Sequence, residues 1–122
     1  MKGILKYIGR DYDKYNCFDL VKEFYLDFYN LDLKNYWESA EVPERWKTQN
    51  LIVSSKGDFD KVTEPKQGDI VVVNLFGYSC HVGIFIEQRF ILHSLRKIGS
   101  CIEPTKKYER MIEGYYRHRV IE

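Results

Sequence analysis

Asn16-Cys17-Phe18-Asp19-Leu20-Val21-Lys22-Glu23-Phe24-Tyr25-Leu26-Asp27-Phe28-Tyr29-Asn30 is the stretch whose reading decides the fold. Cys17, Leu20, Val21, Phe24 and Phe28 recur at helical spacing and line one face. Asp19, Lys22, Glu23 and Asp27 take the other side. Asn16 stands where a side-chain oxygen can accept from a free helical N–H. Asp19 puts negative charge in the first turn, where the macrodipole favours it. The pattern predicts an amphipathic helix over residues 17–30 that begins at or next to Cys17. A thiol placed there feels the positive end of the helix, which favours the reactive thiolate.

Downstream the period changes. Pro65-Lys66-Gln67-Gly68-Asp69 is turn chemistry, and Ile70 to Leu75 is a β-branched run suited to a buried strand. Phe76 to Ser79 reads as a short turn, His81 to Ile86 as the next strand, Glu87-Gln88-Arg89 as a tight loop and Phe90 to Leu95 as its partner. Ile98 to Ile102 and Gly114 to Val120 complete the set. One helix followed by an antiparallel sheet of about five strands is an α+β pattern. Residues 31–64 are less regular. Leu31-Asp32-Leu33 reads as a reversal after the helix. Pro43 suits the first turn of a second helix running toward Ser54, and Ser55 to Asp58 as a loop. Trp37 and Trp46 read as packing residues.

At 122 residues, the chain is expected to form a single domain spanning residues 1–122. Its 19 basic and 18 acidic side chains nearly cancel, with no basic stripe, which argues against nucleic acid as a partner. Three cysteines, Cys17, Cys80 and Cys101, are too few and too spread for a disulfide framework or paired metal knuckles. Cys80 and Cys101 read as small buried residues. No segment has the ~18 apolar residues that suggest a membrane span. The stretch from Met1 to Tyr7 lacks the apolar core of a signal peptide.

His81 and His93 flank the proposed loop. In a register centred on Glu87 they face each other, with Cβ atoms about 4.5–5.5 Å apart, close enough for an imidazole–imidazole hydrogen bond. A one-residue slip would break that pairing. Gly83 is expected on the same face, leaving open space beside His81. Cys17 as nucleophile, His81 as base and His93 as orienter would make a complete set for covalent catalysis. The competing reading is a buried thiol with two structural histidines. A zinc site from the same three residues is disfavoured by the helix-start position of Cys17, so neither metal nor cofactor is expected. His118 reads as a surface strand residue.

At these residues the chain resembles the NlpC/p60 family of papain-like cysteine peptidases. Tyr15-Asn16-Cys17-Phe18-Asp19-Leu20-Val21 is similar to the family's nucleophile block. Pro65-Lys66-Gln67-Gly68-Asp69-Ile70-Val71 is similar to its Pro-x-x-Gly-Asp-Leu-Val. His81-Val82-Gly83-Ile84-Phe85-Ile86, followed by Ile91-Leu92-His93, is similar to its histidine strands. Phe18, Leu20 to Tyr25 and the closing Gly114-Tyr115-Tyr116-Arg117 resemble the short forms found in bacteriophage tail-assembly proteins.

The resemblance implies a papain-like core with the nucleophile helix on an antiparallel sheet. It also implies hydrolysis of peptide bonds in bacterial peptidoglycan, with the stem peptide as substrate and other phage tail proteins as partners. By the same resemblance Cys17 is the nucleophile, His81 the general base and acid, and His93 the orienting residue. Tyr12, with the backbone N–H of Cys17, would serve the oxyanion. Without an export signal, such a protein would be made in the cytoplasm of an infected bacterium and carried in a virion tail.

Asn16, Asp19 and the short loop from Tyr12 to Cys17 depart from the family pattern around the pocket. Arg10, Arg96 and Lys97 are candidates for holding a substrate carboxylate. Two other functions fit the residues. One is a tail-tip or assembly component with a latent or non-wall hydrolase site, and the other is acyl transfer by the same thiol chemistry.

Overall fold

The computed structural model describes residues 3–33, 59–75 and 78–121. Helix α1 spans Cys17–Tyr29. Six strands follow among the described residues: β1 Phe59–Val62, β2 Ile70–Leu75, β3 Tyr78–Ile86, β4 Phe90–Leu95, β5 Gly99–Pro104 and β6 Ile112–His118. They form one antiparallel sheet in the order β1-β6-β2-β3-β4-β5, so the α+β expectation holds. The proposed helix from Pro43 to Ser54, with Trp37 and Trp46, lies outside the described residues, as does the side chain of Cys80.

Helix α1 starts at Cys17 for a local reason. Asn16 is extended, and its Oδ1 accepts from the Asp19 N–H at 2.9 Å. The Asp19 carboxylate returns to the Asn16 N–H at 3.2 Å, completing a capping box. The helix stops at Asn30, which adopts a left-handed conformation at φ 54° and donates to the Leu26 carbonyl.

The apolar face of α1 packs on β3 and β4. Leu20, Val21, Phe24 and Tyr25 join Ile70, Val72, Val82, Ile84, Leu92 and Tyr116 in the larger core. Val71, Val73, Phe85, Ile91 and Tyr108 form a smaller core. The two sets alternate along the strands because successive side chains point to opposite faces. Among the described residues no helix is long and apolar enough to cross a membrane.

Two of the matched blocks clasp each other. Asp69 is 1% exposed, and Arg117 donates to it through both Nε and Nη2, at 2.9 and 2.8 Å. The Lys66 N–H also donates to Asp69, at 2.7 Å. Gly68 sits at φ +95°, where its carbonyl accepts from the buried Tyr25 hydroxyl at 2.9 Å. The Gly-Asp turn and the closing Gly-x-Tyr-Arg block therefore fix α1 and β6 to the sheet.

Several expectations are corrected. Tyr78 and Ser79 belong to β3 rather than to a turn, and the extra residue is absorbed by a bulge: Val73 pairs with His81, and Asn74 with Ser79. Strand β1 was not expected. It is only four residues long, and its pairing with β6 is remote in sequence. The β3–β4 loop is Glu87–Arg89 as expected, but the register is centred on Gln88, with Ile86 opposite Phe90 and Ile84 opposite Leu92. Continuing that register, His93 stands beside Gly83 and lies diagonal to His81 instead of opposite it. Nor is the space at Gly83 open: a Cβ there would come within 2.8 Å of the Ile91 side chain.

Candidate active site

The diagonal offset is a shift of two residues, so both histidines keep the same face. Nε2 of His81 lies 2.8 Å from Nδ1 of His93, and the rings meet edge-on with centroids 5.0 Å apart. His81 is 5% exposed and His93 is fully buried. Burial, and next the neighbouring His93, pushes the His81 imidazole down to about 3. Burial also lowers His93, outweighing the opposing pull of Glu103. The pair is therefore neutral, with one ring N–H shared between them. Because Nε2 of His81 is engaged, Nδ1 is the nitrogen left to take a proton.

The bonding continues across the next strand. Nε2 of His93 lies 2.8 Å from Oε1 of Glu103 on β5, and the Tyr108 hydroxyl donates to the same oxygen at 2.6 Å. Lys107 donates to the other carboxylate oxygen. Burial pushes the Glu103 carboxyl up, but the hydrogen bonds from Lys107, Tyr108 and His93 together outweigh it and bring it to about 2. Glu103 is ionised and can only accept. Its partner Tyr108 also packs edge-on against His93, with centroids 5.2 Å apart, so the pair faces the smaller core. The sequence reading ended this strand at Ile102 and missed Glu103. The signal was its alternation with Cys101, which places both on the face of His93.

Cys17 is 1% exposed and is the first residue of α1. The segment leading to it is tied to the β4–β5 hairpin. The Gly9 N–H donates to the Ser100 carbonyl at 2.8 Å, and the Ser100 N–H to the Arg10 carbonyl at 3.0 Å. The Ser94 hydroxyl donates to the Tyr15 carbonyl at 2.7 Å. Ser94 follows His93 in β4, so this tether sets the start of α1 at the end of the histidine strand. Gly99 makes the close approach possible: it sits at φ +84°, and a Cβ there would lie 2.3 Å from the Arg10 carbonyl oxygen.

The remaining sequence candidates divide. Tyr12 is buried at 8% exposure, with the Arg96 guanidinium 5.3 Å from its ring centre. Arg96 and Lys97 are exposed. Arg10 is committed elsewhere. It pairs with Glu23 at 2.8 Å, donates to the Lys6 carbonyl and stacks 4.5 Å above the Tyr15 ring. His118 is half-buried, meeting Phe59 edge-on at 4.9 Å.

Cys101 is half-buried, not fully buried, and burial followed by Glu103 raises its thiol. Among the described residues, His93, Cys101 and Glu103 bring possible metal-ligand atoms within 4.8 Å of one another. Oε1 of Glu103 already accepts from Tyr108 and Lys107 binds Oε2, which suits a hydrogen-bond network better than a cation. A groove of about 690 Å³, lined by Arg89, Pro104, Lys106, Glu109 and Tyr115 among others, lies by the β3–β4 loop, at the opposite end of the hairpin from His81.

Comparison with known proteins agrees with this architecture. No curated protein sequence matches the chain significantly. The crystal structure of the NlpC/p60 domain of the peptidoglycan hydrolase SagA superposes with a TM-score of 0.65 at 17% identity, covering 93% of this chain and 92% of that one. At that identity the likeness establishes the fold. The sequence itself matches the NlpC/P60 family over residues 5–121, a span that takes in α1, the whole sheet and the histidine pair, and the chain belongs to that family.

Proposed function

We propose that this protein is a cysteine peptidase that hydrolyses peptide bonds of bacterial cell-wall peptidoglycan. Cys17 is the nucleophile, His81 the general base and acid, and His93 the residue that orients it. The observation that carries the reading is the buried 2.8 Å contact between Nε2 of His81 and Nδ1 of His93, beside the strand end where α1 begins. Family membership and the fold shared with a peptidoglycan hydrolase support the substrate class.

In this mechanism Nδ1 of His81 takes the Cys17 thiol proton, and the thiolate attacks the scissile carbonyl. The backbone N–H of Cys17 and the Tyr12 hydroxyl stabilise the oxyanion. His81 then returns the proton to the leaving amine, and water enters by the reverse route to release the acyl group from sulfur. The transfer requires the thiol within hydrogen-bond reach of Nδ1 of His81.

The finer setting is a bacteriophage tail, with the protein made in an infected bacterium and other tail proteins as partners. The aromatic Phe18 and the closing Gly114-Tyr115-Tyr116-Arg117 support it. The test is digestion of purified peptidoglycan from several wall types. Wild type releases new peptide ends, and a folded Cys17→Ala variant releases none. Equal behaviour of the two on every wall would overturn the peptidase reading and favour an assembly role.

A further inference from the structure

The histidine pair does not end at His93. Three adjacent strands each contribute one member to a line of side chains. His81 stands on β3, His93 on β4 and Glu103 on β5, and each step is diagonal. His93 is beside Gly83, two residues from His81, and pairs with Cys101, two residues from Glu103. Both links measure 2.8 Å. We infer that Glu103 is a positioning residue that fixes which nitrogen of each imidazole carries its proton, and so makes Nδ1 of His81 the basic atom. This rests on the reading of Cys17 and His81 as nucleophile and base.

The proton count follows from donor and acceptor chemistry. A carboxylate only accepts, so the hydrogen shared with Glu103 belongs to Nε2 of His93. A neutral imidazole carries one N–H, so Nδ1 of His93 is an acceptor. The hydrogen between the rings then belongs to Nε2 of His81, and Nδ1 of His81 keeps its lone pair. Reversing one tautomer would place two N–H groups, or two lone pairs, against each other at 2.8 Å in a buried site.

When the Cys17 proton moves to Nδ1 of His81, the S–H bond breaks and an N–H bond forms. No proton passes to His93 or Glu103. The negative Glu103 stabilises the resulting imidazolium through His93. The charged and titratable groups around the line are Lys107 and Tyr108, both donating to Glu103, and Cys101 with Sγ 4.0 Å from Oε1. Tyr108 and Lys107 hold the carboxylate ionised and in place. Lys107 and Tyr108 reach the carboxylate from the short helical turn after β5, and His93 reaches it from the neighbouring strand. Through His93 it controls a proton on His81, two hydrogen bonds away.

The test uses the free protein with ¹⁵N-labelled histidine and iodoacetamide as the thiol probe, so it needs no substrate. At neutral pH, wild type is expected to show Nε2–H on both His81 and His93. Alkylation of Cys17, followed by peptide mass spectrometry, is expected to begin at a pH below the ordinary thiol range. Glu103→Leu should slow Cys17 alkylation at pH 7 by roughly 10–100-fold, by analogy with removal of the carboxylate that orients a metal-binding histidine. It should also change the His93 tautomer. Glu103→Gln, which keeps an acceptor but not the charge, should retain the tautomers and lose part of the rate.

An Nδ1–H signal on wild-type His93 would overturn the proposal. So would alkylation profiles of the folded Leu and Gln variants that superpose on wild type. If the tautomers are as expected while wild-type Cys17 reacts like an ordinary thiol, the hold of Glu103 on the tautomers stands and the nucleophile reading falls.

Discussion

Nε2 of His81 and Nδ1 of His93 approach to 2.8 Å within the sheet, although the two residues are diagonal neighbours on β3 and β4. A diagonal pair in an antiparallel sheet is about 7–8 Å apart at Cα, within reach of two imidazoles that lean toward each other. His93 therefore fixes the rotation of the His81 ring. His93→Ala is expected to lower kcat on peptidoglycan by up to about 10⁴-fold, the loss seen when the orienter of a catalytic base is changed. KM should change far less, because His93 is fully buried and does not meet substrate. Steady-state kinetics on a defined stem peptide measure the split.

Burying neutral imidazoles makes stability depend on pH. His81 titrates near 3 in the folded chain and at about 6.5 in the unfolded one, and His93 is lowered in the same sense. Between those values the unfolded state binds more protons, so stability rises with pH. The contribution is fully present above about 6.5 and is lost as pH falls toward 3. Glu103, lowered to about 2, adds loss below its ordinary carboxyl range. Melting temperature should fall steadily from pH 7 to pH 4. A folded His81→Gln variant should show a shallower fall over the same window.

The Asn16–Asp19 capping box secures the helix that carries Cys17. Asn16→Ala is expected to lower unfolding free energy by about 1 kcal/mol, while Asn16→Asp keeps an acceptor and should be close to neutral. Denaturant titration measures both. Loss of the cap should also slow alkylation of Cys17, since it frays the turn that places the thiol.

Gly99→Ala tests the tether of the preceding segment. The new Cβ meets the Arg10 carbonyl oxygen at 2.3 Å, and the residue sits at φ +84°. Backbone strain of this kind costs on the order of 1–3 kcal/mol. Because the displaced segment leads into α1, activity should fall along with stability. Arg117→Ala should cost about 3–5 kcal/mol, since it leaves the buried Asp69 carboxylate without its bidentate partner.

What was legible in the sequence was set locally. Helix α1 begins at Cys17 because Asn16 and Asp19 bond each other, and both lie within one turn of the thiol. The Glu87–Arg89 loop was legible because the strands on either side are continuous apolar runs. The register was misplaced because a three-residue loop centres on its middle residue, Gln88. The bulge at Val73 and the pairing of β1 with β6 depend on contacts far apart in the chain. Asp69 and Arg117 lay in two recognised blocks, yet nothing in either block shows that they meet. Glu103 stayed hidden because its strand was ended at Ile102, two residues short of Pro104. Arg10 looked available for a substrate, and only the fold brings Glu23 and Tyr15 to it.

The most direct test of the account is the distance from the Cys17 sulfur to Nδ1 of His81 in a crystal structure at neutral pH. It predicts hydrogen-bond length for a sulfur donor, up to about 4 Å, with Nε2 still on His93. A sulfur beyond hydrogen-bond reach of His81, with Nδ1 of His81 bonded to a different group, would contradict it.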